Sequence, residues 1–280
     1  MKLLRLLCCV VAVASAGGAA RANFIFTDFA TDPGLTLLGD AAVTDDALCL
    51  TQAEANQTGI AWFPVPQRLD LGFETPARVK IMPLRVGTPE ESPGHGMAFV
   101  FQRDDPFAQG AGGAGLGYAG IGSSVAVELD TSPGAGDFST AHLSLQASSA
   151  DPTSAGLADS LAHADLTVPV GEALEGDLTI RWYGSQMQIF FGGMPPIEPG
   201  ELPIVMDVLG STKDFQLTPG YAWVGFAAAT GGGQVAGDGM AQHCVTRWEL
   251  TVYPEPTTLG LLALGGLGLV RRRLRRKGRL

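Results

Sequence analysis

The sequence predicts an all-β protein built as a sandwich of antiparallel sheets. Short apolar or alternating runs recur along the chain, Gly, Pro, Asp and Ser separate them, and no useful helical period appears between 23 and 252. One domain of about 230 residues accommodates them. The segment 204–209 is either a turn of helix or a further strand. The predicted strands are 47–51, 60–63, 77–82, 97–102, 124–130, 141–146, 178–182, 187–191, 221–228 and 245–252.

Residues 1–22 have the pattern of a secretory signal. Lys2 and Arg5 precede the apolar run 6–16, and small residues surround Arg21 at the end of the segment. We therefore predict a signal helix that signal peptidase removes before Asn23. The rest of the chain is then an exported protein.

The C-terminal segment, 253–280, combines three elements in a fixed order. The motif Pro254, Glu255, Pro256 precedes an apolar stretch at 257–270 and a basic end at 271–280 that starts with Arg271, Arg272 and Arg273. As a helix the apolar stretch would rise about 21 Å, short of the roughly 30 Å hydrocarbon core. This order resembles the PEP-CTERM sorting tail of Gram-negative bacteria that make exopolysaccharide. The alternative is an ordinary C-terminal membrane anchor.

The PEP-CTERM resemblance implies processing by an exosortase near the Pro-Glu-Pro motif. The tail would hold the protein transiently in the inner membrane, with the basic end 271–280 in the cytoplasm. The expected destination is the cell surface or the extracellular matrix. Whether the mature protein is released or anchored there stays open.

The two ends of the chain are basic, whereas its central part is strongly acidic. Three of the 18 basic residues lie in 1–22 and seven follow Val270, whereas all 28 acidic residues lie within 28–255. The segment 23–255 therefore carries a formal charge of −20. Such an acidic body is repelled by nucleic acid and by anionic lipid, which excludes a nucleic-acid partner.

Two cysteines remain after the signal is removed, Cys49 and Cys244. An even pair in an exported protein favours a disulfide. We predict that it bridges the first and last strands of the domain, and two buried free thiols are the alternative.

A candidate metal site follows from residue spacing. Glu128 and Asp130 are two positions apart on a predicted strand, so their side chains share one face. Asp137 and His142 follow within the next twelve positions. Three carboxylates and an imidazole are typical ligands of a divalent metal.

Ordered motifs over some 200 residues resemble the L-type lectins, the legume-lectin-like jelly roll shared with concanavalin A. The resemblance implies a concanavalin A-like jelly-roll fold, no enzymatic activity and a glycan as the partner. The segments that carry it are 58–63, 71–73, 94–101, 112–117, 124–130, 222–231 and 243–250.

The lectin resemblance also implies ligands and cofactors. Glu128, Asp130, Asp137 and His142 match the family's transition-metal ligands, and the two Asp would also bind calcium with the carbonyl of Ser132. The implied cofactors are Ca²⁺ and, as a second metal, Mn²⁺. A divalent cation would then shape the binding loop.

The sugar-facing part departs from the family pattern. His95 stands where the family has an Asp, and Gly134 stands where it has an Asn. Histidine can donate or accept a hydrogen bond but is not a fixed anion. The remaining candidates for ligand binding are the backbone amides of Gly113 and Gly115 and an aromatic face from Tyr118 or Phe138. Both aromatic rings could instead pack in the interior.

Three functions are compatible with these patterns. The first is a carbohydrate-binding protein of the exopolysaccharide layer, and the second is a structural matrix or biofilm protein that keeps the fold without binding sugar. The third is a glycosidase, which needs a second catalytic carboxyl where this chain has Pro133. Asn56 and Thr58 also match a glycosylation acceptor, which the bacterial sorting tail makes a chance match.

Overall fold

The computed structural model describes residues 23–30, 33–83, 95–132, 141–148, 155–156, 160–166, 173–183, 186–201, 220–231 and 239–253. These residues contain sixteen strands and one 3₁₀ turn, Gly113–Gly115. The described part of the chain contains no helix long and apolar enough to cross a membrane. The predicted signal helix, the apolar tail helix and the segment 204–209 lie outside the described residues.

The strands are β1 (Phe24–Phe26), β2 (Thr36–Gly39), β3 (Ala42–Thr44), β4 (Ala47–Thr51), β5 (Thr58–Trp62), β6 (Gln67–Arg68), β7 (Phe73–Pro83), β8 (Gly96–Gln102), β9 (Ser124–Asp130), β10 (His142–Ser148), β11 (Ser160–Asp165), β12 (Leu174–Tyr183), β13 (Gln186–Phe191), β14 (Ile197–Glu201), β15 (Tyr221–Ala229) and β16 (Ala241–Val252).

The strands form two antiparallel sheets. Sheet I has the order β14-β13-β12-β7-β16-β4-β3, with β1 also paired to β16. Sheet II has the order β11-β10-β9-β8-β15-β5-β2, with β6 also paired to β15. Half of the neighbouring strands along the two orders are not consecutive in the chain, as the long connections of a jelly roll require. The predicted all-β sandwich is confirmed.

All ten predicted strands are present: 47–51 and 124–130 match at both ends, and the other eight differ by one to four residues at one or both ends. The prediction missed β1, β2, β3, β6, β11 and β14, which are two to six residues long. Runs this short contain too few alternating positions to be recognised by their period. Most of them lie at or near the edges of the two sheets, where one neighbour provides the register.

Aromatic side chains join the two sheets across the main core. Phe226 of sheet II contacts Trp248 of sheet I in an edge-on arrangement, with ring centroids 5.1 Å apart. Phe99 also packs edge-on against Phe226, with ring centroids 5.4 Å apart. Each of these side chains is at most 1% exposed. Complete burial of such a ring contributes roughly 1.5–3 kcal/mol, so this contact is one of the main links between the sheets.

Strand β9 is buried on both faces because a second layer covers the outer face of sheet II. The odd-numbered residues of β9 enter the core between the sheets, whereas Ala126 belongs to a second apolar cluster on the outer face. Residues 103–123, which we call the covering segment, contribute Leu116, Tyr118 and Ile121 to that cluster. The polar residues of β9 that share the outer face therefore lie beneath a protein layer rather than in water.

Hydrogen bonds between sheet II and the covering segment hold that segment in place. The indole nitrogen of Trp62 donates to the carbonyl of Ala108 at 2.9 Å. The guanidinium of Arg103, which is 1% exposed, donates to the carbonyl of Tyr221 at 2.6 Å. These bonds satisfy buried polar groups in the first part of the segment, so the chain that leaves β8 acquires a defined path over the sheet.

The predicted disulfide between Cys49 and Cys244 is confirmed, and the strands that it joins differ from the prediction. The two residues are direct partners on neighbouring strands β4 and β16, with Cα atoms 4.0 Å apart. Strand β16 is the last strand, as predicted, but β4 is the fourth rather than the first. Three short strands that the prediction missed precede it.

Candidate functional site

Glu128 and Asp130 lie on the outer face of sheet II, on the same side of strand β9. Strand β10 brings His142 opposite Asp130 and Ser144 opposite Glu128. The exposed fractions of Glu128, Asp130 and His142 are 0%, 5% and 1%. Three of the predicted metal ligands therefore share one buried face, whereas Asp137 lies outside the described residues.

The described part of the chain contains no group of three or more His, Cys, Asp or Glu side chains that could hold a metal ion. The chemistry of the donors still fits a divalent cation, because Asp130 and His142 combine carboxylate and imidazole on adjacent strands. A complete ligand set would require residues from 133–140.

The carboxylate of Glu128 is the centre of a buried hydrogen-bond network. Tyr118 donates its hydroxyl to Oε1. Ser144 donates its hydroxyl to Oε2 at 2.5 Å, and Gln146 donates an amide proton to the same oxygen at 3.2 Å. All four side chains are 0% exposed. Three buried donors thus converge on one carboxylate, and they fix its position on the outer face of sheet II.

Tyr118 stays protonated in this network. Burial raises its pKa well above the ordinary value, and the neighbouring charge of Glu128 raises it further. The hydroxyl can therefore act as a permanent donor to the carboxylate. The prediction of Tyr118 as a sugar-stacking residue is wrong in this structure, because its ring is fully buried within the second apolar cluster.

A pocket of about 280 Å³ opens at the end of sheet II where β15 ends and β5 and β8 begin. The pairing register explains why distant segments meet there, because Ala229 of β15 pairs with Thr58 on one side and with Gly96 on the other. The lining residues are Asn56, Thr58, His95, Gly112, Gly113, Thr230 and Gly231.

Two predicted ligand-binding residues, His95 and Gly113, meet in this pocket. A Cβ atom built on Gly113 would lie 3.8 Å from Nε2 of His95. Gly113 has φ of +57°, a left-handed conformation that favours glycine. Gly115 does not line the pocket, and its N–H already donates to the carbonyl of Gly112 at 3.1 Å, inside the covering segment. Its prediction as a ligand-binding residue is therefore wrong in this structure.

Main-chain hydrogen bonds connect the pocket to the carboxylate face. Thr131 donates its N–H to the carbonyl of His95 at 3.0 Å. The N–H of Ser132 donates to Oδ1 of Asp130 at 2.8 Å, and Ser132 is 3% exposed. The residues that follow β9 are thus hydrogen-bonded to His95, which directly precedes β8.

The binding residues predicted from the sequence do not include Asn56, Thr58 and Thr230, which line the pocket. Asn56 and Thr58 lie about forty positions before His95, and only the pairing of β5 with β15 brings them to the same end of sheet II. A small polar pair at the start of a strand carries no signal that distinguishes it from an ordinary turn. No pattern in the sequence alone would have identified these residues.

His243 of strand β16 is buried and neutral. The hydroxyl of Thr51 donates to the carbonyl of Ala241 at 2.9 Å, so it accepts from Nδ1 of His243 at 2.7 Å. Burial, with a smaller contribution from the charge of His95, lowers the pKa of His243 to about 3. Unfolding therefore allows this histidine to take up a proton at mildly acidic pH.

The low pKa of His243 predicts a loss of stability in acid. An unfolded histidine has a pKa of about 6.5, so the contribution is fully present above that pH and is lost as the pH falls towards 3. Between about pH 6.5 and pH 4 this residue should lower the free energy of unfolding by roughly 3 kcal/mol. We expect His243→Gln to reduce this pH dependence, measured by urea unfolding. His163→Gln, at an exposed position, is the control, and equal slopes in both variants would contradict the assignment.

Comparisons with known proteins agree with this architecture. The family model described as the legume lectin domain matches residues 21–261. The model described as the PEP-CTERM protein-sorting motif matches residues 254–276. No curated protein matches the chain.

Solved structures with the same fold share little sequence with this chain. The basic winged bean lectin, solved with Tn-antigen, is 22% identical over 81% of this chain and 96% of its own, with a TM-score of 0.61. Lectin II from Ulex europaeus is 17% identical over 82% and 99%, with a TM-score of 0.62. The Ca²⁺/Man-bound VIP36 exoplasmic/lumenal domain is 18% identical over 80% and 85%, with a TM-score of 0.57. At these identities the likeness establishes the fold.

Proposed function

The chain belongs to the legume lectin family, and on that premise we propose that it is a lectin of the bacterial exopolysaccharide layer. The lectin domain and the sorting motif together indicate a carbohydrate-binding protein that is exported and sorted to the surface. The observation that supports sugar binding by this chain is the 280 Å³ pocket in which His95 and Gly113 meet. Its partner would be an extracellular polysaccharide or another glycan.

The tail supports the proposed route to the surface. In this proposal signal peptidase removes 1–22, the domain 23–252 folds outside the inner membrane, and the tail 253–280 keeps its basic end in the cytoplasm until an exosortase acts near Glu255. The match of the sorting motif to 254–276 supports the last step. Membrane contact would be transient and limited to the tail.

We propose that a divalent cation, Ca²⁺ with Mn²⁺ as a second metal, orders the chain that follows β9. Glu128, Asp130, Asp137 and His142 would provide side-chain ligands, and Ser132 its carbonyl. The shared buried face of Glu128, Asp130 and His142 supports this set. When bound, the cation would offset the repulsion among the carboxylates and stabilise the loop.

Glycan binding by the full chain in mild detergent tests the main proposal. We expect reproducible binding on a glycan array, loss of binding after EDTA, recovery with Ca²⁺ and a lower melting temperature without the metal. Asp130→Asn should lose the Ca²⁺ effect. Asp177→Asn, at an exposed carboxylate that pairs with Arg78, is the control. Binding that is indifferent to EDTA would contradict the cation proposal alone.

A second candidate function is a structural matrix protein that keeps the fold without binding sugar. His95 favours it, because an imidazole stands at the pocket position where the lectin resemblance implies a carboxylate. Silence of the wild type across neutral and acidic glycans would support this function over sugar binding. The family is one of lectins rather than of hydrolases, so the chain is not an enzyme.

A further inference from the structure

One wall of the pocket comes from the connection between β4 and β5, and it presents polar groups with no partner. Asn56 is exposed and has φ of +57°. Its N–H donates to the carbonyl of Gly231 at 2.8 Å, across the pocket rim. Among the described residues no hydrogen bond involves the side-chain amide of Asn56. That amide can therefore donate to and accept from a ligand in the pocket.

The connection that carries Asn56 is fixed before any ligand arrives. The hydroxyl of Thr230 donates to the carbonyl of Glu54 at 2.7 Å and accepts from the N–H of Gln57 at 2.9 Å. The N–H of Thr230 donates to the carbonyl of Gln57 at 3.0 Å. Thr230 is 1% exposed. Because these bonds are already formed, binding would not require the wall to be ordered.

Thr58 adds a hydroxyl next to Asn56. The backbone N–H of Thr58 donates to a carboxylate oxygen of Asp40 at 2.7 Å, and the carbonyl of Thr58 accepts from the N–H of Asp40 at 2.9 Å. A Cβ atom built on Gly112 would lie 2.2 Å from Oγ1 of Thr58. The absence of a side chain at Gly112 therefore provides the space that the Thr58 hydroxyl faces.

We propose that Asn56 and Thr58 are ligand-binding residues that determine specificity, and that they select a neutral sugar with adjacent hydroxyl groups. This inference rests on the proposed lectin function and identifies the class of sugar. The amide and the hydroxyl each donate and accept, which suits a pair of hydroxyls on one ring. No Lys or Arg lines the pocket within the described residues, and the segment 23–255 carries −20. An anionic sugar would meet no fixed positive charge there.

Variants of the wall test this inference with the full chain in mild detergent. The probes are dextran, mannan and galactan as neutral polymers and polygalacturonate as the acidic one. Asn56→Gly keeps the left-handed backbone and removes the amide, and Thr58→Val keeps the shape and removes the hydroxyl. We expect each to weaken binding of a neutral polymer about fivefold or more. Gly112→Ala should weaken binding at least as much as Thr58→Val does, since its methyl group would displace the Thr58 hydroxyl.

Matched controls distinguish the wall from general effects. Thr44→Val makes the same atomic change at an exposed position, and Gly193→Ala adds a methyl group with no atom within 4 Å. Both should bind as the wild type does. If the wild type binds a polymer and Asn56→Gly and Thr58→Val bind it equally well, Asn56 and Thr58 are not ligand-binding residues. That result would leave the proposed lectin function intact. Preference for polygalacturonate would contradict the selection of a neutral sugar. A wild type that binds none of the polymers would contradict both this inference and the proposed lectin function.

Discussion

Replacement of both cysteines, as Cys49→Ala with Cys244→Ala, should lower the free energy of unfolding by roughly 5 kcal/mol. The bridge joins residues 195 positions apart. In the chain-entropy description, a cross-link stabilises the fold by restricting the unfolded chain, and its effect grows with the logarithm of the loop length. The folded state should change little, because the two side chains form a small buried cluster with Ala47, separate from the main core.

Guanidinium unfolding with and without reductant measures this effect. Reductant should lower the midpoint of the wild type to that of the double variant and leave the double variant unchanged. The double variant has no disulfide to reduce, so its response to reductant measures any effect that does not come from the bridge. A wild type whose midpoint does not move after complete reduction would show that the bridge contributes little to stability.

Glu128→Leu should destabilise the domain by at least about 3 kcal/mol. The substitution leaves the hydroxyls of Tyr118 and Ser144 and the amide of Gln146 without their shared acceptor. Each buried donor that loses its acceptor costs about 1–3 kcal/mol. Glu198→Leu changes an exposed carboxylate and serves as the control, with an expected effect within about 0.5 kcal/mol. Comparable urea midpoints in the two variants would contradict the network.

Tyr118→Phe isolates one bond of the same network and adds a pH signature. Because its pKa is raised by folding, Tyr118 contributes stability that is fully present below about pH 10 and is lost as the pH rises further. The variant should therefore show a weaker decline of stability in alkali than the wild type. Tyr183→Phe makes the same atomic change at a side chain that is 73% exposed. An alkaline decline identical in all three proteins would rule out this role.

Much of the site's local arrangement follows from strand periodicity. Glu128 and Asp130 share a face because they are two positions apart on one strand, and the length of the connection allows His142 to return opposite Asp130. The same logic would extend to Ser144 and Gln146, which follow His142 at alternate positions on β10. The hydrogen-bond network around Glu128 was not predicted, because Ser144 and Gln146 are not typical metal ligands and the prediction concerned a metal site.

The errors at Tyr118 and Gly115 have one physical cause. Both residues belong to the covering segment, whose glycine-rich composition is typical of a surface loop. The prediction therefore treated the ring of Tyr118 and the amide of Gly115 as accessible to a ligand. The outer face of sheet II is apolar at Ala98 and Ala126, so the segment folds back over it and buries the ring. Burial of a loop on a sheet depends on the shape of the sheet, which local composition does not encode.

Strand patterns, turn residues and the parity of the cysteines were enough to predict a sandwich, an exported body and the pairing of Cys49 with Cys244, because these depend on local periodicity and on simple counts. The pocket wall at Asn56 and Thr58 required the folded chain. Only the pairing of β5 with β15 brings that wall to His95, and such pairing between distant strands follows from the packing of the whole sheet.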